Sequence, residues 1–382
     1  MTNGNRAVLC MLKTNVHDHF LWRVRLDELR RLVEALGYDV VGEFVQTRIK
    51  PYSKYLIGSG KVKEVREFVD ENGVDLVVFY NTLTSSQKLN LTRALGVEVV
   101  DRYEVTLRIF ERAASDELSK LQIEAARLAK LYPYFKLQAS VRFKTERPFM
   151  KGMGEYAYHN KVRMLAKRMS RIRERISKLR RRRVSEIERR RRLGYPIVCI
   201  AGYYNAGKTS LFNVLTGSDR EVSDRPFTTI SAKYQRRYLP MGGFMLFVDT
   251  IGFVIDLDPE LIESFELNLA DMKYADVVLF LVDVSDEPNL LSLKLNHGLK
   301  LLRRIGVEPS KTLVVFNKVD LVDERHIENV LEKVHATLMG YSWVFVSAKE
   351  GINIEGLLEA VWSKILGRSV SISSEQVLQE AP

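Results

Sequence analysis

Residues 197–216, IVCIAGYYNAGKTSLFNVLT, constrain this chain more than any other stretch. Ile197 to Gly202 is a short apolar run that reads as a fully buried strand, and SLFNVLTG carries the apolar spacing of a helix. Between them Gly202 to Thr209 matches G-x-x-x-x-G-K-[ST] in its required strand–loop–helix setting. Glycines let backbone N–H groups turn inward, and the helix start adds positive potential, so such a loop can cradle phosphate oxygens. Lys208 is then placed to reach β and γ phosphates and Thr209 to offer its hydroxyl to Mg²⁺. Gly202, Asn205, Ala206, Gly207 and Ser210 complete the predicted loop.

Three further strand ends fit the same site. FMLFVDTIGF (244–253) sets Asp249 at the end of an apolar strand, about forty residues past the loop, with Gly252 three positions on. The carboxylate can hold Mg²⁺ through water, and the Gly252 N–H can meet a γ-phosphate oxygen. PFTTIS (226–231) lies between, and Thr229 is the threonine expected to complete the metal shell when triphosphate is bound. NKVD (317–320) closes TLVVF, bringing Asn317, Lys318 and Asp320. An aspartate that accepts from guanine N1–H and the exocyclic amine selects guanine, because adenine lacks that donor pair. Ser347, Ala348 and Lys349 end the next strand, where backbone N–H groups would cap the base. Order, spacing and strand-end location predict a GTP/GDP site with Lys208, Thr229 and Gly252 as catalytic groups. Phe253 follows Gly252 where Ras-like enzymes carry the glutamine that orients water, so hydrolysis is expected to be slow without a partner, or water to be positioned by another route.

A length of 382 residues argues for two or three domains. Residues 1–112 alternate apolar strands (6–12, VVGEFV, 76–79, 97–100) with helices at 25–37, 61–72 and 85–95, most of them stopped by glycine. That alternation predicts a parallel sheet wrapped by helices. GSGK (58–61) resembles a phosphate loop only in part and reads as a tight turn before a helix.

Residues 113–194 differ. Leu118, Leu121, Ala125, Leu128 and Tyr132 step by three and four, as do Val162, Leu165, Met169, Ile172, Ile176 and Leu179. Two such stripes, joined over Pro133 to Gly154, predict an antiparallel coiled-coil hairpin. The overall charge of +11 is concentrated here: residues 161–192 hold 16 Lys or Arg against Glu174, Glu186 and Glu188, so the rest of the chain is near −2. A rigid cationic hairpin suits an RNA phosphate lattice, with an anionic membrane surface as the competing partner. The predicted G domain spans 195–367, and 368–382 reads as a flexible tail.

No apolar run approaches the length of a membrane span, no secretion signal is legible, and Cys10 and Cys199 sit in apolar strands as reduced thiols, so a cytoplasmic address is expected. His17 and His19 form an isolated H-x-H that reads as loop chemistry, not zinc ligation.

These motifs, together with VVGEFVQTRIKP, YLIGSGKVKEV, SSQKLNLTRALGVEVVDR, LSKLQIEAARL and RISKL, resemble the HflX family of translation-associated GTPases over about residues 20–365. The resemblance implies a GTPase that binds the large ribosomal subunit and its rRNA; a monomer is expected. It also implies stimulation there and a role in separating stalled or idle ribosomes. The family's glycine-rich hairpin tip is reduced at 142–161 to Gly152, Gly154 and Glu155. Asn205 resembles the asparagine of potassium-activated GTPases, which implies K⁺ near the phosphates. Two other readings stay open: a regulatory GTPase peripheral to a membrane, and an ATP-dependent RNA remodeller working through the N-terminal domain.

Overall fold

The computed structural model describes residues 5–15, 18, 20–145, 151–192, 194–219, 233–238, 244–250, 252–255 and 266–367. His17, His19, Thr229 and the tail 368–382 lie outside these residues. Two compact units form, one from 1–112 with 120–179 and one from 113–119 with 180–382.

The first unit begins β1 (Arg6–Lys13), α1 (Leu21–Ala35), β2 (Asp39–Thr47), α2 (Ser59–Asn72), β3 (Leu76–Phe79), α3 (Ser85–Leu95), β4 (Glu98–Asp101) and α4 (Arg102–Ala113). Its strands pair in parallel in the order β2-β1-β3-β4. β3 is buried along its whole length, as expected of a strand covered on both faces. Gly73 and Gly96 end α2 and α3 with φ of +58° and +72°, and each returns its N–H to the last turn. A capping box between Thr84 and Gln87 starts α3. The turn at 58–61 has a structural job: the Gly58 N–H donates to Gln46 Oε1 at 2.8 Å, and Lys61 pairs with Glu64. Helix α4 has no sequence punctuation before it, because Asp101 ends the strand and caps the helix at once. Its carboxylate accepts from the N–H of Glu104 and Leu83 and pairs with Lys130.

Helices α5 (Glu117–Thr145) and α6 (Lys151–Arg192) follow. Pro133 lies inside α5, so the connection expected over 133–154 shrinks to 146–150. The proline is tolerated because it and Ala129, whose carbonyl loses its donor, are both exposed to water. On α6 the stripe is as expected: 162, 165, 169, 172, 176 and 179 are less exposed than the residues between them. On α5 the most buried face is instead Ser119, Gln122, Ile123 and Ala126. That face turns because α5 also packs on α4: Ile123, Arg127, Lys130 and Leu131 line a cavity of about 490 Å³ with Leu107, Arg108 and Glu111. Arg168 of α6 pairs with Glu124 of α5.

The second unit carries β5 (Ile197–Gly202), α7 (Lys208–Thr216), β6 (Lys233–Tyr238), β7 (Phe244–Asp249), α8 (Glu266–Tyr274), β8 (Val277–Asp283), α9 (Pro288–Ile305), β9 (Thr312–Asn317), α10 (Glu324–Leu338), β10 (Ser342–Val346) and α11 (Ile354–Ile365). The strand order is β10-β9-β8-β5-β7-β6, parallel except for β6 on the edge. KYQRRY was not legible as a strand because its charges follow no alternation; on an edge, such charges hinder pairing with another chain. Cys10 and Cys199 are free and buried, and burial pushes both thiols up.

The C-terminal part of α6 is tied to this unit by Asp271, which is 3% exposed. Arg183 donates to its Oδ2 at 2.8 Å and the Tyr234 hydroxyl to its Oδ1 at 2.5 Å. Removing the cation leaves a buried carboxylate half-compensated. Arg183→Ala is expected to destabilise the chain by about 3 kcal/mol, read as a lower urea midpoint, and Tyr234→Phe by about 1 kcal/mol.

Candidate nucleotide site

The loop 203–207 leaves β5 under tight steric control. Gly202 has φ of +146°, and a Cβ there would stand 2.5 Å from Leu281 O. Gly207 has φ of +88°, and a Cβ there would run into Asn317 Nδ2. Asn205 also adopts a left-handed conformation, with φ of +60°, and is exposed. Lys208 opens α7, and its Nζ turns back over the loop to Tyr203 O at 2.6 Å. Thr209 and Ser210 follow in the first helical turn, half-buried.

The second wall comes from the segment after β7. Asp249 ends that strand, is 1% exposed, and lies beside the Lys208 charge. Thr250 donates to Ile200 O at 2.7 Å. Phe253 pairs with the loop in both directions, its N–H to Gly202 O at 2.9 Å and the Tyr204 N–H to its carbonyl at 3.1 Å. These bonds bring Gly252 to the lysine: a Cβ on it would be 3.0 Å from Lys208 Nζ. Phe253 itself is 1% exposed and packs on Tyr203 and Phe280. It is a core residue with no polar atom to offer water.

Asn317 joins the walls. Its Nδ2 donates to Ala206 O and its Oδ1 accepts from the Ala348 N–H, both at 2.9 Å. Lys318 has φ of +71° and pairs with Asp283 at the end of β8, at 2.6 Å. Asp320 stands in the short turn 319–321, and its Oδ1 is enclosed with no hydrogen-bond partner among the described residues. Such an oxygen is costly unless a ligand meets it. Ser347 is buried and its Oγ accepts from the Glu350 N–H at 3.1 Å, whereas Lys349 is exposed.

Most of the residues singled out from the sequence thus converge: Gly202, Ala206, Gly207, Lys208, Asp249, Gly252, Asn317 and Ala348 are linked by contacts or charge. Thr229 cannot be placed among them, since it is outside the described residues. Sequence reasoning missed Asp283 and the Tyr203 carbonyl. Asp283 was open to discovery, as an acid ending an apolar strand beside NKVD. A backbone acceptor carries no sequence signal.

Burial pushes the Lys208 ammonium from its ordinary 10.5 down to about 8, while Asp249 opposes the shift. At pH 7 the amine is charged and can meet an anion; above 8 it is neutral unless an anion holds the proton. GTP binding at pH 9 is therefore expected to take up close to one proton, and at pH 7 almost none. Calorimetry in buffers of different ionisation enthalpy measures this, and Lys208→Met should abolish the difference. Between pH 8 and 10.5 the unfolded chain binds the proton the fold has released, so this group's contribution to stability rises with pH across that window.

Comparisons with known proteins bear on the family of the chain. Residues 23–111 match the family described as GTP-binding GTPase N-terminal, and residues 197–318 match the family described as 50S ribosome-binding GTPase. The GTPase HflX of Thermofilum pendens is 39% identical over 337 residues, covering 88% of this chain and 78% of that one. The GTPase HflX of Hyperthermus butylicus is 35% identical, covering 91% and 93%. A crystal structure described as a complex of SsGBP and GDP matches with a TM-score of 0.54 at 24% identity, covering 95% of this chain and 99% of that one, and so shares the fold. The nucleotide loop, the guanine-side loop and these relatives together make the chain a GTPase that belongs to the HflX family.

Proposed function

We propose that this GTPase docks on the large ribosomal subunit through rRNA, uses 113–194 as its basic contact element, and couples docking to its nucleotide state. The observation that carries the reading is the exposed cationic surface of α6, where Arg163, Lys167, Arg171, Arg173, Lys178, Arg180, Arg181 and Arg182 all face solvent. Thirteen net positive charges on one helix repel one another unless a polyanion neutralises them. The G-domain family is itself described as ribosome-binding.

In this reading Gly202 to Ser210 wrap the phosphates, with Lys208 and the Gly252 N–H stabilising the γ-phosphoryl oxygens. Water attacks the γ phosphorus as its bond to the bridging oxygen of GDP breaks. Asn317 holds the loop against the base side, and Asp320 with the Ser347–Lys349 backbone reads guanine. Thr209 and Asp249 carry the hard oxygen donors for Mg²⁺, with Thr229 joining in the triphosphate state; the ion would neutralise charge on the phosphates. No cluster of three His, Cys, Asp or Glu able to hold a metal occurs among the described residues, so Mg²⁺ would share its shell with phosphate oxygens. The exposed, left-handed Asn205 is the candidate for K⁺. Phe253 offers the attacking water no polar group, so in this reading hydrolysis depends on the ribosome. GTP favours docking of a monomer, hydrolysis favours release, and the cycle separates stalled or idle ribosomes.

No described helix is long and apolar enough to cross a membrane. The 58–61 turn lacks the full phosphate-loop spacing, and its Gly58 N–H is already taken by Gln46, which leaves the ATP reading with little support. The test is co-sedimentation with large subunits in GDP and in a non-hydrolysable GTP analogue, with GTPase rates in KCl and NaCl. Equal affinity in both nucleotides sinks the switch, equal rates in both salts remove K⁺, and capture by anionic vesicles in place of subunits removes the ribosome.

A further inference from the structure

The −2 left outside α6 conceals a second basic surface. Between Glu43 and Glu64 the chain has no acid and five cations, Arg48, Lys50, Lys54, Lys61 and Lys63. Between Asp75 and Glu98 it again has none, with Arg93 exposed and Lys88 paired to Glu104 of α4, and a third acid-free stretch runs from Glu124 to Glu146 on α5. The fold gathers all three. Gln87 and Asn90 of α3 donate to Tyr52 O and Lys54 O at 3.3 and 3.1 Å, and Lys88 stands over the Tyr134 ring of α5 at 5.6 Å.

The loop between β2 and α2 is displayed and fixed. Residues 47–54 are all exposed, with Ile49 at 79% and Tyr52 at 38%. Its conformation is nonetheless held: Tyr52 and Leu56 exchange backbone hydrogen bonds at 2.8 and 2.7 Å, and Leu56 is locked at φ of +70°. The Tyr52 ring has the Arg48 guanidinium over it at 5.8 Å, and the Tyr55 ring has the Lys54 ammonium at 4.8 Å. Cations set over aromatic rings, on a loop already ordered, form a surface on which unpaired bases can stack while phosphates meet the lysines. Anionic lipid would also draw these cations, but it has no flat base to lay on the two tyrosine rings, so the paired aromatics favour RNA.

We propose that this loop, with the exposed side of α3, is a second RNA-binding surface that takes unpaired nucleotides by stacking on Tyr52 and Tyr55. Only the identity of the RNA rests on the ribosomal reading; the surface itself does not.

The full chain should be titrated, across a salt series, with a labelled single-stranded RNA, with large ribosomal subunits and with phosphatidylserine vesicles. Tyr52→Ala/Tyr55→Ala is expected to weaken binding of the RNA and the subunits about tenfold with an unchanged salt slope. Lys50→Glu/Lys54→Glu should weaken it further and reduce the slope for the single-stranded RNA by about 1.4. Tyr52→Phe/Tyr55→Phe keeps both rings and should retain wild-type binding, which separates stacking from misfolding. Basal GTP hydrolysis should not move in any of them. RNA affinities within twofold of wild type for both disruptive variants overturn the proposal, as does a loss confined to vesicles. Loop-dependent binding of the oligonucleotide without subunit binding keeps this surface and removes the ribosomal reading; loop-independent subunit binding does the reverse.

Discussion

Asp320→Asn is expected to lower GTP affinity on the order of a thousandfold and to shift preference to xanthosine triphosphate. Guanine presents two donors side by side, N1–H and the exocyclic amine, and a carboxylate presents two acceptors. Asp320 Oδ1 is enclosed and has no hydrogen-bond partner among the described residues, which is the state expected of an acceptor kept for a ligand. Asparagine replaces one acceptor with a donor, which faces the guanine amine donor to donor. Xanthine carries a carbonyl at that position and restores the match. Because no hydrogen bond among the described residues uses this oxygen, the substitution should change thermal stability by less than about 0.5 kcal/mol. Calorimetric titration with both nucleotides decides it. GTP affinity within threefold of wild type would mean that the base is read elsewhere.

The same loop shows what a sequence does and does not disclose. GYYNAGKT was legible because left-handed backbone favours glycine or asparagine, as at Gly202, Asn205 and Gly207, and NKVD because strand ends collect polar groups, although its own left-handed position holds Lys318. The apolar strands were equally open to reading, since a fully buried run such as VVLFLVD has few other uses. Three features were hidden for physical reasons. Helix α4 begins on the residue that ends β4, with no turn residue to mark it. β6 is an edge strand whose charges mask its periodicity. The buried face of α5 is set by packing against α4 as well as α6, which no single stripe can reveal. At the site, the contacts that hold the walls together run through carbonyls of Tyr203 and Ala206, and a carbonyl has no residue type. Hence the candidate site residues were readable one by one, while the clamp that aligns them was not.

Gly207→Ala tests that clamp. At φ of +88° an alanine costs about 1–2 kcal/mol from its own backbone. Its Cβ also displaces Asn317 Nδ2 from Ala206 O, and a buried hydrogen bond lost in this way adds about 1–3 kcal/mol. With the site empty, the loop can relax to relieve both costs. Nucleotide binding restores the tight form and incurs them, so the loss should appear as affinity, about a hundredfold or more for GTP, with little change in the melting temperature of the nucleotide-free chain. Asn317→Ala should weaken GTP binding as well, because Ala206 O and the Ala348 N–H both lose their partner. The two changes cannot be independent. Once Asn317 is alanine the Cβ at 207 has nothing to strike, and only the backbone cost remains. The double variant should therefore bind GTP better than the sum of the single losses predicts, by at least about 1 kcal/mol in a thermodynamic cycle. Additivity within about 0.5 kcal/mol would show that Gly207 is required for its dihedral angle alone and that Asn317 supports the base side without bracing the phosphate loop.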